Sequence, residues 1–131
     1  MFSRKKQPPI KSLIAQGSNI EGNVTFCDGL RVDGEVVGDI GTNAAQPSIL
    51  VLSETARITG AVRADYVIIN GSVVGPVHAN ELLELQPKAR VEGDIHYRAL
   101  EMHQGALVSG QLHPMDALEE KPLLKLAANN P

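Results

Sequence analysis

Apolar and polar residues alternate along the middle of this chain in one recurring phrase: an aliphatic residue, any residue, glycine, any residue, an aliphatic residue. It reads Ile20-Glu21-Gly22-Asn23-Val24, Val36-Val37-Gly38-Asp39-Ile40, Ile58-Thr59-Gly60-Ala61-Val62, Val73-Val74-Gly75-Pro76-Val77, Val91-Glu92-Gly93-Asp94-Ile95 and Val108-Ser109-Gly110-Gln111-Leu112. The central glycines lie 16, 22, 15, 18 and 17 residues apart. Alternation with a period of two predicts strands. Recurrence at a nearly fixed spacing of this size predicts a solenoid with one phrase per turn. The first and fifth residues of each phrase face inward, the second and fourth outward. The glycine marks either a point where two walls approach too closely for a Cβ or a bend between faces.

Shorter alternating segments complete each turn: Leu30-Arg31-Val32, Leu50-Val51-Leu52, Val67-Ile68-Ile69, Leu83-Glu84-Leu85 and Leu100-Glu101-Met102. Two more glycine phrases, Val32-Asp33-Gly34-Glu35-Val36 and Ile69-Asn70-Gly71-Ser72-Val73, overlap the main ones. The longest glycine interval contains Gly41 to Ser48, a turn-rich insertion that a solenoid tolerates at one corner. The chain therefore divides into a basic N-terminal tail (1–16), an all-β, single-domain parallel β-helix of about six turns (17–112) and a Pro-containing, disordered C-terminal tail (113–131). Six turns at the strand spacing give a rod of roughly 29 Å. Middle turns satisfy each other's backbone groups, but the terminal turns each leave an open edge, and no amphipathic capping helix adjoins either. End-to-end stacking into a filament is the physical expectation. The residues expected at its junctions are Leu13, Ile14, Ile20 and Phe26 near the first turn, with Leu107, Val108 and Leu112 at the last.

Composition sharpens this picture. Aromatic residues make up only 3% of the chain, so the core must be filled by Val, Ile, Leu and Ala. The one cysteine, Cys27, excludes an internal disulfide and suits a reducing compartment. No apolar run approaches the ~20 residues of a membrane span, and no hydrophobic signal region follows the basic start. Residues 1–16 hold four of the 12 basic residues and none of the 15 acids, which leaves an acidic body unsuited to nucleic acid. No phosphate-cradling glycine loop is present, so no nucleotide is expected.

The succession Gly29 to Ile40, the stretch Ala64 to Gly75, and Leu83-Glu84-Leu85 leading to Ala89 through Ile95 resemble the bactofilin family of bacterial cytoskeletal proteins. The start Met1-Phe2-Ser3-Arg4-Lys5-Lys6 is similar to the membrane-targeting motif of many members. The resemblance implies a right-handed, roughly triangular β-helix. It also implies nucleotide-independent, non-polar filaments on the inner face of the cytoplasmic membrane, which position cell-wall enzymes and shape the cell. Many members carry a Phe in the last turn that contributes to polymer contacts; here Ala106-Leu107-Val108-Ser109-Gly110 stands in its place, apolar but without an aromatic ring.

The candidate membrane contacts are Met1 and Phe2, which can enter the headgroup region, and Arg4, Lys5 and Lys6, which can meet anionic lipid at about 1 kcal/mol per basic residue. Many tails on one filament would convert this weak binding into avid binding. His78, His96 and His113 occupy the same place in consecutive turns and are expected to stack outward as a polar ladder, with no metal and no catalysis assigned to them. His103 lies elsewhere on its turn. Cys27 has no activating base close by in sequence and is read as a structural or merely solvent-shielded thiol. Asn23-Val24-Thr25 and Asn70-Gly71-Ser72 match the glycosylation signal by chance. Outward Val37 and Val74 hold equivalent places two turns apart and could support lateral pairing.

The principal expectation is a non-enzymatic scaffold without cofactor, self-associating and peripheral on the inner membrane. The alternatives are a left-handed hexapeptide-repeat enzyme, either acyltransferase or carbonic anhydrase, and an adaptor for a membrane peptidoglycan hydrolase. The hexapeptide class marks every six residues with a small aliphatic side chain, whereas the glycine phrase here recurs about once per turn.

Overall fold

The computed structural model describes residues 7–42 and 47–115. Every described element is a strand, and the strands coil through six turns. The first turn comprises β1 (Ser12–Ile14), β2 (Asn19–Glu21) and β3 (Val24–Phe26). The second comprises β4 (Gly29–Val32), β5 (Glu35–Val37) and β6 (Ile40–Thr42). The third runs through β7 (Ile49–Leu52), β8 (Arg57–Thr59) and the start of β9 (Val62–Ile69), which rounds a corner into the fourth. There β10 (Ser72–Val74) leads to β11 (Val77–Leu85), which rounds the same corner into the fifth turn, with β12 (Arg90–Glu92) and β13 (Ile95–Tyr97). The sixth holds β14 (Leu100–Met102), β15 (Leu107–Ser109) and β16 (Leu112–Pro114).

All pairs are parallel and join one turn to the next, so equivalent residues stack in columns. One face aligns Ile20, Val36, Ile58, Val73, Val91 and Val108. Another aligns Val24, Ile40, Val62, Val77, Ile95 and Leu112. The remaining face contributes two inward columns. One is Leu30, Leu50, Val67, Leu83 and Leu100; the other is Ile14, Val32, Leu52, Ile69, Leu85 and Met102. These aliphatic columns are the core, as the alternation implied, and their middle members are fully buried. Stacking like on like suits them, because β-branched and Leu side chains of equal size fill successive layers without voids.

The repeated glycine proves to be the bend. Gly22, Gly38, Gly60, Gly75, Gly93 and Gly110 all have positive φ and form one corner column. The steric conflict they avoid lies along the rod axis and not across the core. A methyl group on Gly93 would sit 2.5 Å from the Gly75 carbonyl oxygen, and the same overlap recurs from Gly38 to Gly110. From Gly22 to Gly93 the N–H of each corner glycine donates to the following turn, as from Gly60 to the Val74 carbonyl at 2.9 Å. The residue after the glycine stitches the same corner through its side chain. Asn23 Oδ1 accepts from the Asp39 N–H at 3.0 Å, Asp39 Oδ1 from the Ala61 N–H at 2.9 Å, and Asp94 Oδ1 from the Gln111 N–H at 2.9 Å. Ala61 offers no side-chain acceptor, and the residue stacked above it, Pro76, has no N–H to satisfy.

The solenoid exceeds the expected limits of residues 17 and 112. Strand β1 pairs with β4 although it lacks the glycine phrase, because Ile14 aligns with Val32 and extends an inward column. At the other end Pro114 pairs with Tyr97, and the Met115 N–H donates to the Tyr97 carbonyl at 2.6 Å. The insertion returns to the coil at Ser48, which is fully buried; its N–H donates to Asp65 Oδ2 at 2.9 Å.

Replacing Gly93 by alanine, at a positive φ and against the turn below, is expected to lower the unfolding free energy by at least about 2 kcal/mol. Gly41→Ala, whose added methyl meets nothing within 4 Å, should change it by less than about 0.5 kcal/mol. Denaturant melts of the two variants check this, and equal effects would contradict the corner assignment.

Candidate assembly surfaces

The two ends of the coil differ from its middle in what they leave uncovered. In the last turn Met102 is 47% exposed, whereas Leu85, one turn below it in the same column, is 0% exposed. Leu112 is 44% exposed against 0% for Ile95 beneath it. The corner amides show the same asymmetry. Gly93 and Ile95 donate to Ser109 and Gln111, whereas among the described residues no seventh turn receives the equivalent N–H groups of Gly110 and Leu112. The first turn presents Ile14, Ile20 and Val24, each half-buried, in the inward columns that end in Met102, Val108 and Leu112.

All seven residues expected at junctions lie in the first and last turns, but they do not share one orientation. Ile14, Ile20, Val108 and Leu112 occupy the end positions of inward columns. Phe26 is only 8% exposed and belongs to the core. Leu13 aligns with Arg31, and Leu107 with Arg90, so both are exposed on the sides of the coil. Met102, Leu100 and Val24 complete the terminal layers and were not singled out as junction residues, although alternation within Leu100-Glu101-Met102 and within the phrase Ile20 to Val24 turns them inward. The candidate membrane residues Met1, Phe2, Arg4, Lys5 and Lys6 lie outside the described residues.

On the flank, Val37, Thr59 and Val74 form one outward column, with Val37 and Val74 exposed. Cys27 is also exposed, beside Asp28, a non-glycine residue at positive φ.

The histidine column forms as the spacing implied. His78 and His96 stack with ring centroids 4.2 Å apart, and His96 and His113 at 4.6 Å. Arg63 precedes His78 in the same register, and Asp94 Oδ2 lies 3.6 Å from His113 Nε2. Burial pushes the His78 imidazole below its ordinary value of 6.5, and the positive charge of neighbouring His96 and Arg63 acts in the same direction. The Gln111 N–H holds the Asp94 carboxyl below the usual carboxylate range, with further help from His113 and His96.

The bactofilin family model, described as polymer-forming cytoskeletal, matches residues 12–113. The chain belongs to the bactofilin family. No curated protein and no solved structure gives a significant match. The span recognised in this bactofilin coincides with the coiled strands, from β1 through most of β16. Membership makes it a protein of a structural, polymer-forming family. Among the described residues no helix is long and apolar enough to cross a membrane.

The column gives a pH dependence with a definite sign. A histidine whose folded pKa lies below its unfolded value binds fewer protons when folded, so stability falls as pH drops below about 6.5 and levels off below the folded pKa. The thermal midpoint is therefore expected to fall between pH 7.5 and pH 5.5, and to fall less in His78→Asn. An equal fall in the variant would show that His78 is not responsible.

Proposed function

We propose that this bactofilin assembles end to end, without nucleotide, into filaments that lie on the cytoplasmic membrane and position cell-envelope or morphogenesis proteins. The observation that supports this most directly is the uncovered terminal layer. Met102 and Leu112 are nearly half exposed in columns whose other members are sealed by the next turn. Another rod placed on the axis would supply that turn, covering apolar surface at about 25 cal/mol per Å² and extending the strand ladders. Junction residues in this reading are the axis-facing Ile14, Ile20, Val108 and Leu112, joined by Met102 and with Phe26 supporting the first layer from within. Leu13 and Leu107 point sideways and fit contacts between neighbouring filaments instead.

The basic start of the chain is the membrane-binding element of this proposal. Met1 and Phe2 insert, while Arg4, Lys5 and Lys6 meet anionic headgroups, and polymerisation multiplies the tails presented to one surface. The adaptor role, in which the tails recruit a membrane peptidoglycan hydrolase, is compatible with the same scaffold.

A charge at Leu112 would have to be buried without a partner in an axial junction. Leu112→Arg is therefore expected to shift the protein from the pellet to the supernatant on ultracentrifugation, while Leu107→Arg on the flank still pellets. Soluble Leu107→Arg together with pelleting Leu112→Arg would overturn the axial assignment. Phe2→Ala combined with Lys5→Ala and Lys6→Ala should abolish flotation with anionic vesicles while leaving filaments intact. Unchanged flotation would remove the tail from the mechanism.

A further inference from the structure

Away from the histidine column, a second cluster forms where the fifth and sixth turns meet. Glu84 and Glu101 are in-register partners on the outward side of β11 and β14. Two residues beyond Glu101, His103 turns its Nε2 to within 3.0 Å of Glu84 Oε2. One ligand atom from each of the three side chains lies within 4.8 Å of the other two. Carboxylates directly opposite each other in a ladder repel. The next residue down the column from Glu84 is Ile68, which offers no charge to offset them. Among the described residues, His103 is the one ion-pair partner of Glu84.

We propose that Glu84, Glu101 and His103 bind a divalent transition-metal ion, with Zn²⁺ as the best match. Two carboxylate oxygens and one imidazole nitrogen are a borderline donor set, suited to zinc and less so to calcium or magnesium, which take oxygen ligands. Bonds of about 2.0–2.2 Å to a tetrahedral ion place ligand atoms about 3.4 Å apart. Small rotations of the partly buried Glu84 and Glu101 side chains reach that spacing. The ion takes the position between His103 Nε2 and Glu84 Oε2, its charge offsets the stacked carboxylates, and water completes the fourth position. The Gln86 side chain donates to the same Glu84 oxygen at 3.3 Å and helps to hold that carboxylate in place.

Location gives the site a consequence. Glu84 belongs to the fifth turn, and Glu101 and His103 to the sixth, so the ion staples the last turn to the body of the rod. Met102, between two of the ligands, points the other way, onto the open end. The binding site itself does not depend on the assembly proposal, and its test reads metal binding and folding, not filament length.

The experiment is titration of the full chain with ZnCl₂ alone by calorimetry, with thermal melts in parallel. Three proteins are compared: wild type, the double variant Glu84→Gln with His103→Ala, and a triple variant with His78, His96 and His113 each replaced by Asn. The expected result is one Zn²⁺ per chain in wild type and in the triple variant, with a raised thermal midpoint. In the double variant affinity should fall at least about tenfold, with its metal-free midpoint showing that it folds. Binding that survives in the double variant, binding lost only in the histidine-column variant, or no binding to wild type would each overturn the proposal.

Discussion

The structure depends on each turn lying flat on the one before it, one strand spacing away, in unbroken parallel register. The corner glycines make that spacing possible. Each occupies a positive φ that turns the chain from one face to the next, and from Gly38 onward each lies so close to the glycine below that a single methyl would hit its carbonyl. With the corner set, the residues on either side fall into register. The first aliphatic position of the phrase begins one inward column, the last begins another, and the intervening Asn or Asp ties its turn to the next amide.

That arrangement also leaves the first and last described turns without a further layer of the coil. A layer in the middle is sealed on both sides by residues of its own kind. The equivalent residues in the last turn, Met102 and Leu112, are nearly half exposed. A solenoid whose described residues form no cap at either end carries the template for its own extension, in the geometry that its internal turns already use. This is the physical link between the repeat in the sequence and membership of a polymer-forming family.

Much of this was legible in the residues. The period of two within each phrase placed Val36, Ile58 and Val73 inside, and the longer period placed them in one column. The histidine ladder followed from the same spacing. Three features were less visible. The role of the glycines was open, because sequence spacing does not distinguish a clash across the core from a clash along the axis. Strand β1 was missed as part of the coil because it has no glycine and only Ile14 to mark it. Leu13 and Leu107 were grouped with the axial residues because they are large, apolar and terminal, yet alternation turns them to the flank. The Glu84, Glu101 and His103 cluster joins residues 17 and 19 positions apart, and only the register of β11 with β14 brings them together.

The most direct test of the account is electron cryo-microscopy of the purified protein with neither nucleotide nor metal added. Rods joined through their open ends predict continuous filaments whose layers repeat at about 4.8 Å, with an axial subunit repeat of roughly 29 Å, or twice that where alternate rods are inverted. Discrete particles of one small size, or filaments in which the rods lie side by side across the axis, would contradict it.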